Sequence, residues 1–296
     1  MYDLIIVGGG VAGVTAAIYA ARKGMKFIII SPEFGGEIAN STYVENWPGT
    51  KSISGKDLAR SYEEHMRSLN VEVVEDLVTE VKHDKHFHVK TYGGAYESKT
   101  LIWATGSKYR ELGVPGEGEL LGRGVTYCSI CDGPLYKNKT VAVVGGGNTG
   151  MTSTIYMANI ANKVYMIDRN EKSKCDKSLL NQLQSKYNNV EIIYNAEVES
   201  IHGEKKVTSI TLKDGRHLEV DGVIINIGYM PITEPIKNLM ELNKHGYIEV
   251  DWKGMTKLPG MFAAGDVVFN PYKQLVVSAS DGARAALGAY DYLTTK

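Results

Sequence analysis

The chain has 296 residues, of which 43% are apolar and 23% charged, and its formal net charge is −1. This composition is typical of a globular protein with room for two domains. Without a basic stripe or a charged tail, binding to nucleic acid or to a membrane surface is not expected, and no apolar run reaches transmembrane length. Because Met1 leads almost directly into an apolar strand, we expect no signal peptide and a cytoplasmic location.

Two related glycine-rich turns dominate the sequence. Each follows an apolar strand and precedes a helical pattern and a second apolar strand, and the copies are 137 positions apart: Gly8, Gly10 and Gly13 in the first, Gly145, Gly147 and Gly150 in the second. In such a unit the first glycine permits a tight turn and the second admits a pyrophosphate close to the backbone. The third lets helix and strand pack, with the diphosphate on the helix N-terminus. A merely flexible turn would not explain the surrounding elements.

Strand and helix patterns alternate along the chain, which predicts an α/β fold with parallel sheets. The further elements predicted are a helix over 55–69, a hairpin turning at 93–94, strands over 101–106, 222–228 and 260–266, and a closing helix over 276–292. We therefore predict two Rossmann-like dinucleotide-binding domains, the second inserted into the first. The first domain comprises 1–111 and 230–296, and the inserted domain comprises 112–229.

A pair of cysteines, Cys128 and Cys131, lies just before the second glycine turn and is followed by Asp132. In a cytoplasmic protein a Cys-x-x-Cys is more often catalytic or metal-binding than structural. A zinc site needs two further ligands, and Cys175 is the one remaining thiol, so a redox pair is favoured. No metal site is predicted, and three histidines in the hairpin are interpreted as exposed side chains: His83, His86 and His88.

Over its whole length the chain resembles low-molecular-weight thioredoxin reductases, which are flavoprotein disulfide reductases. The segments that carry this resemblance are 8–13, 44–49, 104–106, 114–117, 127–133, 145–150, 262–266 and 273–274. The most discriminating of them is the Cys-x-x-Cys-Asp placed directly before the second glycine turn.

The resemblance implies FAD in the first domain, with Asn46 near the isoalloxazine, Asp266 on the ribityl chain and Gln274 at the pyrimidine edge. The full set of FAD-binding residues that it implies is Gly8, Gly10, Gly13, Gly36, Asn46, Thr105, Gly106, Gly265, Asp266, Lys273 and Gln274. Ser31 stands where many dinucleotide folds place an acid for the ribose.

The resemblance also implies roles for the redox residues and a homodimer. Cys131 would lie against the flavin, and Cys128 would attack the disulfide of a thioredoxin- or glutaredoxin-like protein. Asp132 would act as the general acid or base, with a pKa raised by partial burial.

The expected donor site departs from the pattern of the resemblance. NADPH-using members usually carry His-Arg-Arg-x-x-x-Arg, where this chain has Asp168-Arg169-Asn170 and later Lys174. A carboxylate accepts a hydrogen bond from a ribose 2′-hydroxyl and repels a 2′-phosphate, so NADH is expected over NADPH. The donor site is predicted at Gly145, Gly147, Gly150, Asp168 and Arg169.

A second departure is that Thr152-Ser153 replaces a common Glu-Glu pair. Ferredoxin or a reduced deazaflavin therefore stays open as the donor. Two different functions also stay open for the chain: a dithiol oxidase that passes electrons to oxygen, and a non-catalytic nucleotide sensor.

Overall fold

A computed structural model describes residues 1–41 and 43–295. The strands, in chain order, are β1 Tyr2–Gly9, β2 Phe27–Phe34, β3 Glu72–Val74, β4 Val78–His83, β5 Phe87–Thr91, β6 Ala95–Trp103, β7 Ser107–Tyr109, β8 Val125–Thr126, β9 Thr140–Val144, β10 Lys163–Ile167, β11 Val190–Ile193, β12 Val198–His202, β13 Ser209–Leu212, β14 His217–Glu219, β15 Gly222–Ile225, β16 Tyr229–Pro231 and β17 Met261–Ala263. The α-helices are α1 Val11–Arg22, α2 Gly55–Arg67, α3 Ser129–Asp132, α4 Asn148–Ala158, α5 Lys177–Lys186 and α6 Leu275–Thr294. Within these described residues, no helix combines the length and the apolar character needed to cross a membrane.

The chain divides into two compact units. The first unit consists of Met1–Lys108 and Met230–Lys296, and the second of Tyr109–Tyr229. Strands β7 and β16 lie where the chain passes between the units, and they pair with each other as a two-stranded sheet.

The first unit is built on a mixed sheet of order β3-β2-β1-β6-β5-β4, with β17 pairing with β6. Strand β1 is parallel to β2 and β6, and β17 is parallel to β6. Leu4 and Ile6 pack with residues of α1 and α6 on one face, whereas Ile5 and Val7 belong to the core on the other face. A parallel strand covered on both faces is expected to be apolar without alternation, which explains the unbroken apolar run at 4–7.

The second unit contains a five-stranded parallel sheet of order β11-β10-β9-β15-β8. A separate antiparallel sheet, β12-β13-β14, adds to its core. In each unit a glycine turn joins the carboxyl end of a buried parallel strand, β1 or β9, to the helix that follows. Ligands of open α/β sheets bind at this edge. The parallel sheets confirm the predicted α/β class.

Candidate active site

The two cysteines lie within residues 128–132, here called the redox turn, which consist of Cys128 and the single helical turn α3. Cys128 is the N-cap of α3 and Cys131 is its third residue. Because positions i and i+3 of a helical turn are neighbours, their Cα atoms come within 5.3 Å, a separation that a disulfide can bridge, and the two sulfurs are bonded. The backbone N–H of Cys131 also donates to Sγ of Cys128 over 3.2 Å. Cys128 is half-buried and Cys131 is exposed.

Asp132 ends the same turn and is held by Thr126, at the end of β8. The Thr126 hydroxyl donates a hydrogen bond to the Asp132 carboxylate, and its oxygen accepts the backbone N–H of Cys128 over 3.1 Å. Burial raises the pKa of Asp132, and the Thr126 hydrogen bond opposes that rise. A carboxyl that keeps its proton to higher pH than usual, next to the disulfide, suits a general acid.

The redox turn is fixed to α4 by contacts that the sequence did not reveal. The hydroxyls of Ser129 and Ser153 are both buried and lie 2.8 Å apart. A Cβ on Gly133 would lie 2.6 Å from the Tyr156 ring and 3.1 Å from the Met157 sulfur. Ser153 is one of the two residues that replace the common Glu-Glu pair, and in this structure its hydroxyl contacts Ser129 of the redox turn.

The first glycine turn has the form of a diphosphate cradle. Gly8 has φ +117°, and a Cβ there would lie 2.3 Å from the Ala104 carbonyl oxygen. A Cβ on Gly13 would lie 1.8 Å from the Gly8 oxygen, so close packing of the chain requires both glycines. Gly10 is different: its φ is −75°, and a Cβ would meet nothing within 4 Å. Gly10 precedes α1 without a side-chain cap, which leaves helix N–H groups available to an anion.

The second glycine turn repeats this geometry. Gly145 has φ +128°, and a Cβ there would lie 2.2 Å from the Asn226 oxygen. A Cβ on Gly150 would lie 1.9 Å from the Gly145 oxygen, whereas Gly147, with φ −85°, has nothing within 4 Å. Each turn therefore offers open space at its middle glycine, next to an uncapped helix N-terminus. This is the space that a pyrophosphate needs.

Several residues of the implied flavin site meet at the start of α6. The Asn46 side-chain amide donates to Oε1 of Gln274 over 3.2 Å, although 228 positions separate them. The Ser278 hydroxyl donates to Oδ1 of Asp266 over 3.2 Å. Lys273 Nζ donates to the carbonyl oxygens of Asp266 and Val268, each over 2.8 Å. Burial raises the pKa of Asp266 and lowers that of Lys273.

The remaining residues of the implied flavin site lie on loops and at the starts of short 3₁₀ helices of the same unit. Gly36, Gly106 and Gly265 all have positive φ, and a Cβ on Gly36 would lie 3.2 Å from Cα of Gly10. The Thr105 hydroxyl donates to the Ile232 carbonyl oxygen over 2.8 Å, so this hydroxyl proton is already engaged within the protein.

Asp168, at the end of β10, carries an unsatisfied acceptor. Its side chain is 1% exposed, and its Oδ1 accepts from the backbone and side-chain N–H groups of Asn170, over 3.0 Å and 2.7 Å. Its Oδ2 has no hydrogen-bond partner among the residues that the structure describes. This oxygen lies against the second glycine turn, because a Cβ on Gly146 would be 1.6 Å from it. Arg169 is exposed.

The other candidate residues form no metal site. Across residues 1–41 and 43–295, no group of three or more His, Cys, Asp or Glu side chains is placed to hold an ion. Nε2 of His88 lies 3.2 Å from Oδ1 of Asp84, and the ring of His83 packs on Phe87. Cys175 is a half-buried free thiol, and burial raises its pKa.

Comparison with known proteins places this geometry among redox flavoproteins. The chain is 41% identical over 304 residues to an alkyl hydroperoxide reductase subunit of Pseudomonas aeruginosa and 40% identical over 299 residues to an NADH dehydrogenase of Bacillus subtilis. These alignments cover 99% of this chain, which spans 58% of the length of each relative. The crystal structure of a thioredoxin reductase from Streptococcus pyogenes superimposes with a TM-score of 0.94 at 36% identity, over 100% of this chain and 99% of that one.

The fold and the redox turn together define a thioredoxin reductase-like disulfide oxidoreductase of the flavoprotein class. The chain belongs to the pyridine nucleotide-disulphide oxidoreductases, whose family profile matches residues 2–283. The resemblance to low-molecular-weight thioredoxin reductases is thereby confirmed, as is the expected architecture of two dinucleotide-binding domains.

Proposed function

We propose that the chain uses FAD and NADH to reduce the disulfide of thioredoxin or of a thioredoxin- or glutaredoxin-like protein. The observation that carries the proposal is the Cys128–Cys131 disulfide. It lies on a helical turn that ends in Asp132, whose carboxyl is partly buried. The resemblance further leads us to propose a cytoplasmic homodimer.

The resemblance assigns the attack on the partner's disulfide to Cys128 and the position next to the flavin to Cys131. Two electrons and two protons convert the Cys128–Cys131 disulfide into two thiols. The Cys128 thiolate then attacks one sulfur of the partner's disulfide, which forms a mixed disulfide and releases one partner thiolate. The Cys131 thiolate attacks Cys128, which re-forms the original disulfide and releases the second partner thiolate. Cys128 and Cys131 each release one proton on becoming thiolates, and the two released partner thiolates each take up one; Asp132 supplies a proton to a departing thiolate and regains one from solvent.

FAD, when bound, supplies the two electrons for reduction of the disulfide. Gly8, Gly10 and Gly13 would hold its diphosphate, since the open space at Gly10 and the uncapped start of α1 fit that group. The carboxylate of Asp266 would accept a hydroxyl of the ribityl chain. Asn46 and Gln274, which the structure brings together, would contact the ring system. The other residues that we propose around FAD are Gly36, Thr105, Gly106, Gly265 and Lys273.

NADH is the proposed donor because of the state of Asp168. Its buried, unpartnered Oδ2 lies at the glycine turn, where it would accept a hydrogen bond from a ribose 2′-hydroxyl. A 2′-phosphate placed there would meet a carboxylate, and like charges disfavour NADPH. Gly145, Gly147 and Gly150 would hold the diphosphate, and the exposed Arg169 would contact the adenosine from outside.

An anaerobic titration of the purified FAD-loaded protein tests this function. Separate samples receive NADH, NADPH or dithionite and then thioredoxin, while the visible absorbance of the flavin and the thiols of thioredoxin are followed. Bleaching by NADH, followed by one dithiol of thioredoxin per NADH consumed, is the expected result.

The remaining outcomes of this titration would overturn parts of the proposal. Bleaching by dithionite but by neither nucleotide would move the donor to ferredoxin or a deazaflavin. Bleaching by NADH without formation of thioredoxin thiols would refute the proposed partner. In a separate aerobic assay, oxygen uptake driven by a small dithiol would instead favour a dithiol oxidase.

A further inference from the structure

A single hydroxyl joins the two chemically active ends of the redox turn. The oxygen of Thr126 accepts the backbone N–H of Cys128 over 3.1 Å, and its proton is donated to the carboxylate of Asp132. Thr126 is 5% exposed. Water therefore has little access to replace this hydroxyl if the side chain is altered.

We propose that Thr126 is a positioning residue for disulfide exchange, because its hydroxyl ties the Asp132 carboxylate to the backbone of Cys128 and so controls how firmly Asp132 holds its proton. This inference rests on the proposed function only in giving Asp132 the role of proton donor. The hydroxyl of Thr126 acts through the Asp132 carboxylate and the Cys128 backbone N–H, and not through a sulfur.

The surroundings of Asp132 leave Thr126 as its controlling contact. The titratable side chains nearby are Tyr136, just after the turn, and Tyr156 from α4 against Gly133; Cys128 and Cys131 titrate only when their disulfide is reduced. Tyr136 is buried, and its pKa is raised to about 12 mainly by that burial and further by the charge of Asp132, so it stays neutral. Among the described side chains, only Thr126 hydrogen-bonds to the Asp132 carboxylate.

The direction of the effect follows from the donor role of the hydroxyl. A hydrogen bond donated to a carboxylate stabilises its charged form, and burial destabilises that form. In this structure the two effects oppose each other at Asp132, with burial the larger. Removing the hydroxyl leaves burial unopposed, so Asp132 should keep its proton to still higher pH.

The test is a titration of Asp132 in the FAD-loaded protein labelled with ¹³C-aspartate, with the Asp132→Asn variant used to assign its carboxyl signal. Thr126→Val removes the hydroxyl at nearly constant volume, and Thr126→Ser keeps it. We expect the Asp132 midpoint to rise by about one pH unit in Thr126→Val, since a hydrogen bond to a charged group is lost. Thr126→Ser should titrate like the native protein.

A second readout separates this role from simple support of the fold. The dithiothreitol-reduced protein is mixed with the aromatic disulfide 5,5′-dithiobis(2-nitrobenzoic acid), and the rate of exchange is measured against pH. One limb of this profile depends on Asp132 and should be absent in Asp132→Asn. In Thr126→Val the pH midpoint of that limb should rise by the same amount as the ¹³C midpoint. A merely structural loss would lower the rate at every pH and leave the midpoint in place.

Thr126→Ala is the second variant, because it removes the hydroxyl without placing a new methyl group against the carboxylate. An unchanged Asp132 midpoint in either folded, FAD-loaded variant would overturn the inference. Shifted midpoints in the variants, together with a native protein that fails to reduce thioredoxin, would leave the inference standing and refute the proposed function instead.

Discussion

Gly147 offers a direct test of whether the second glycine turn binds a dinucleotide. Its φ of −85° is open to any residue, and a Cβ there would meet no atom within 4 Å. Neither the backbone nor the packing of this chain therefore requires glycine at this position. A ligand that approaches the backbone closely does require it.

Gly147→Ala should change folding little and binding strongly. At a compatible φ, replacing glycine with alanine stabilises a protein by about 0.4–1 kcal/mol, because the unfolded chain loses conformational freedom, but Gly147 is the N-cap of α4 and alanine is a poorer N-cap than glycine, so the two effects on folding offset each other. The same methyl group would occupy space that the diphosphate needs, and overpacking of this kind costs about 1–3 kcal/mol. At 1.4 kcal/mol per factor of ten, the dissociation constant for NADH should rise about 5- to 150-fold.

The assay combines thermal unfolding of the FAD-loaded protein with anaerobic NADH titration of its flavin absorbance. Gly150→Ala is the matched control, because its Cβ would lie 1.9 Å from the Gly145 carbonyl oxygen and should destabilise the second unit itself. A Gly147→Ala protein that unfolds close to the native temperature but binds NADH weakly is the expected result. If this variant kept the native affinity for NADH and the native rate of flavin reduction, the reasoning would be refuted, and the dinucleotide would not bind at this turn.

Three further predictions concern the other parts of the site. Cys131→Ser should trap thioredoxin on Cys128 as a covalent complex on non-reducing gels, because no second thiolate remains to resolve the mixed disulfide. Asp168→Ala should weaken NADH binding about tenfold or more in titration calorimetry while leaving NADPH binding no weaker, since the charged acceptor for the 2′-hydroxyl is lost. Asp266→Asn should stabilise the FAD-free protein at pH 7 in thermal melts. Burial raises the pKa of Asp266, so its contribution to stability is complete below the unfolded-state pKa and is lost as pH rises through the folded-state pKa.

Each of these variants has a contradicting outcome. A covalent complex that forms with Cys128→Ser but not with Cys131→Ser would reverse the assigned order of the two cysteines, and equal trapping by both variants would refute a fixed order. Equal losses for NADH and NADPH in Asp168→Ala would show that Asp168 does not read the 2′ position. For Asp266→Asn, the stability difference from the native protein should vanish below about pH 3, where the carboxyl is protonated in both states because the pH lies below the ordinary pKa of an aspartate. A stability difference that persists at that low pH would show that it does not come from ionisation of Asp266.

The internal repeat is what made the fold predictable from the sequence. A glycine with positive φ or with a carbonyl oxygen within about 2 Å of its Cβ position cannot be exchanged, so Gly8, Gly13, Gly145 and Gly150 mark the same turn twice. The apolar runs before them are buried parallel strands, whose sequence has no alternation to confuse with a surface strand. The antiparallel sheet β12-β13-β14 was not predicted, because its strands of three to five residues are too short to show a period.

The contacts inside the redox turn could not be predicted in the same way. Ser129 and Ser153 are 24 positions apart, and Asn46 and Gln274 are 228 apart. A hydrogen bond between such side chains leaves no periodic or local signal in a single sequence. Thr126 and Asp132 are close in sequence, but a threonine at the end of a two-residue strand is ordinary, and its role depends on how α3 folds back toward it.

The two copies of the repeat differ where their ligands would differ. Ser31 and Asp168 occupy the same place in the repeat, 137 positions apart, and both are buried. The Ser31 hydroxyl donates a hydrogen bond to the Glu33 carbonyl oxygen over 2.6 Å. The first copy therefore presents a neutral side chain that is already bonded to its own loop. In the second copy, Asn170 satisfies one oxygen of Asp168, and the other has no partner among the described residues. A buried, unsatisfied carboxylate oxygen is unfavourable unless a ligand completes it, so the second copy is built to gain most from a ligand that donates a hydroxyl. The common fold therefore gives both turns the open space that a diphosphate would need, and under the proposed function the exchange of serine for aspartate would make only the second copy selective at the ribose.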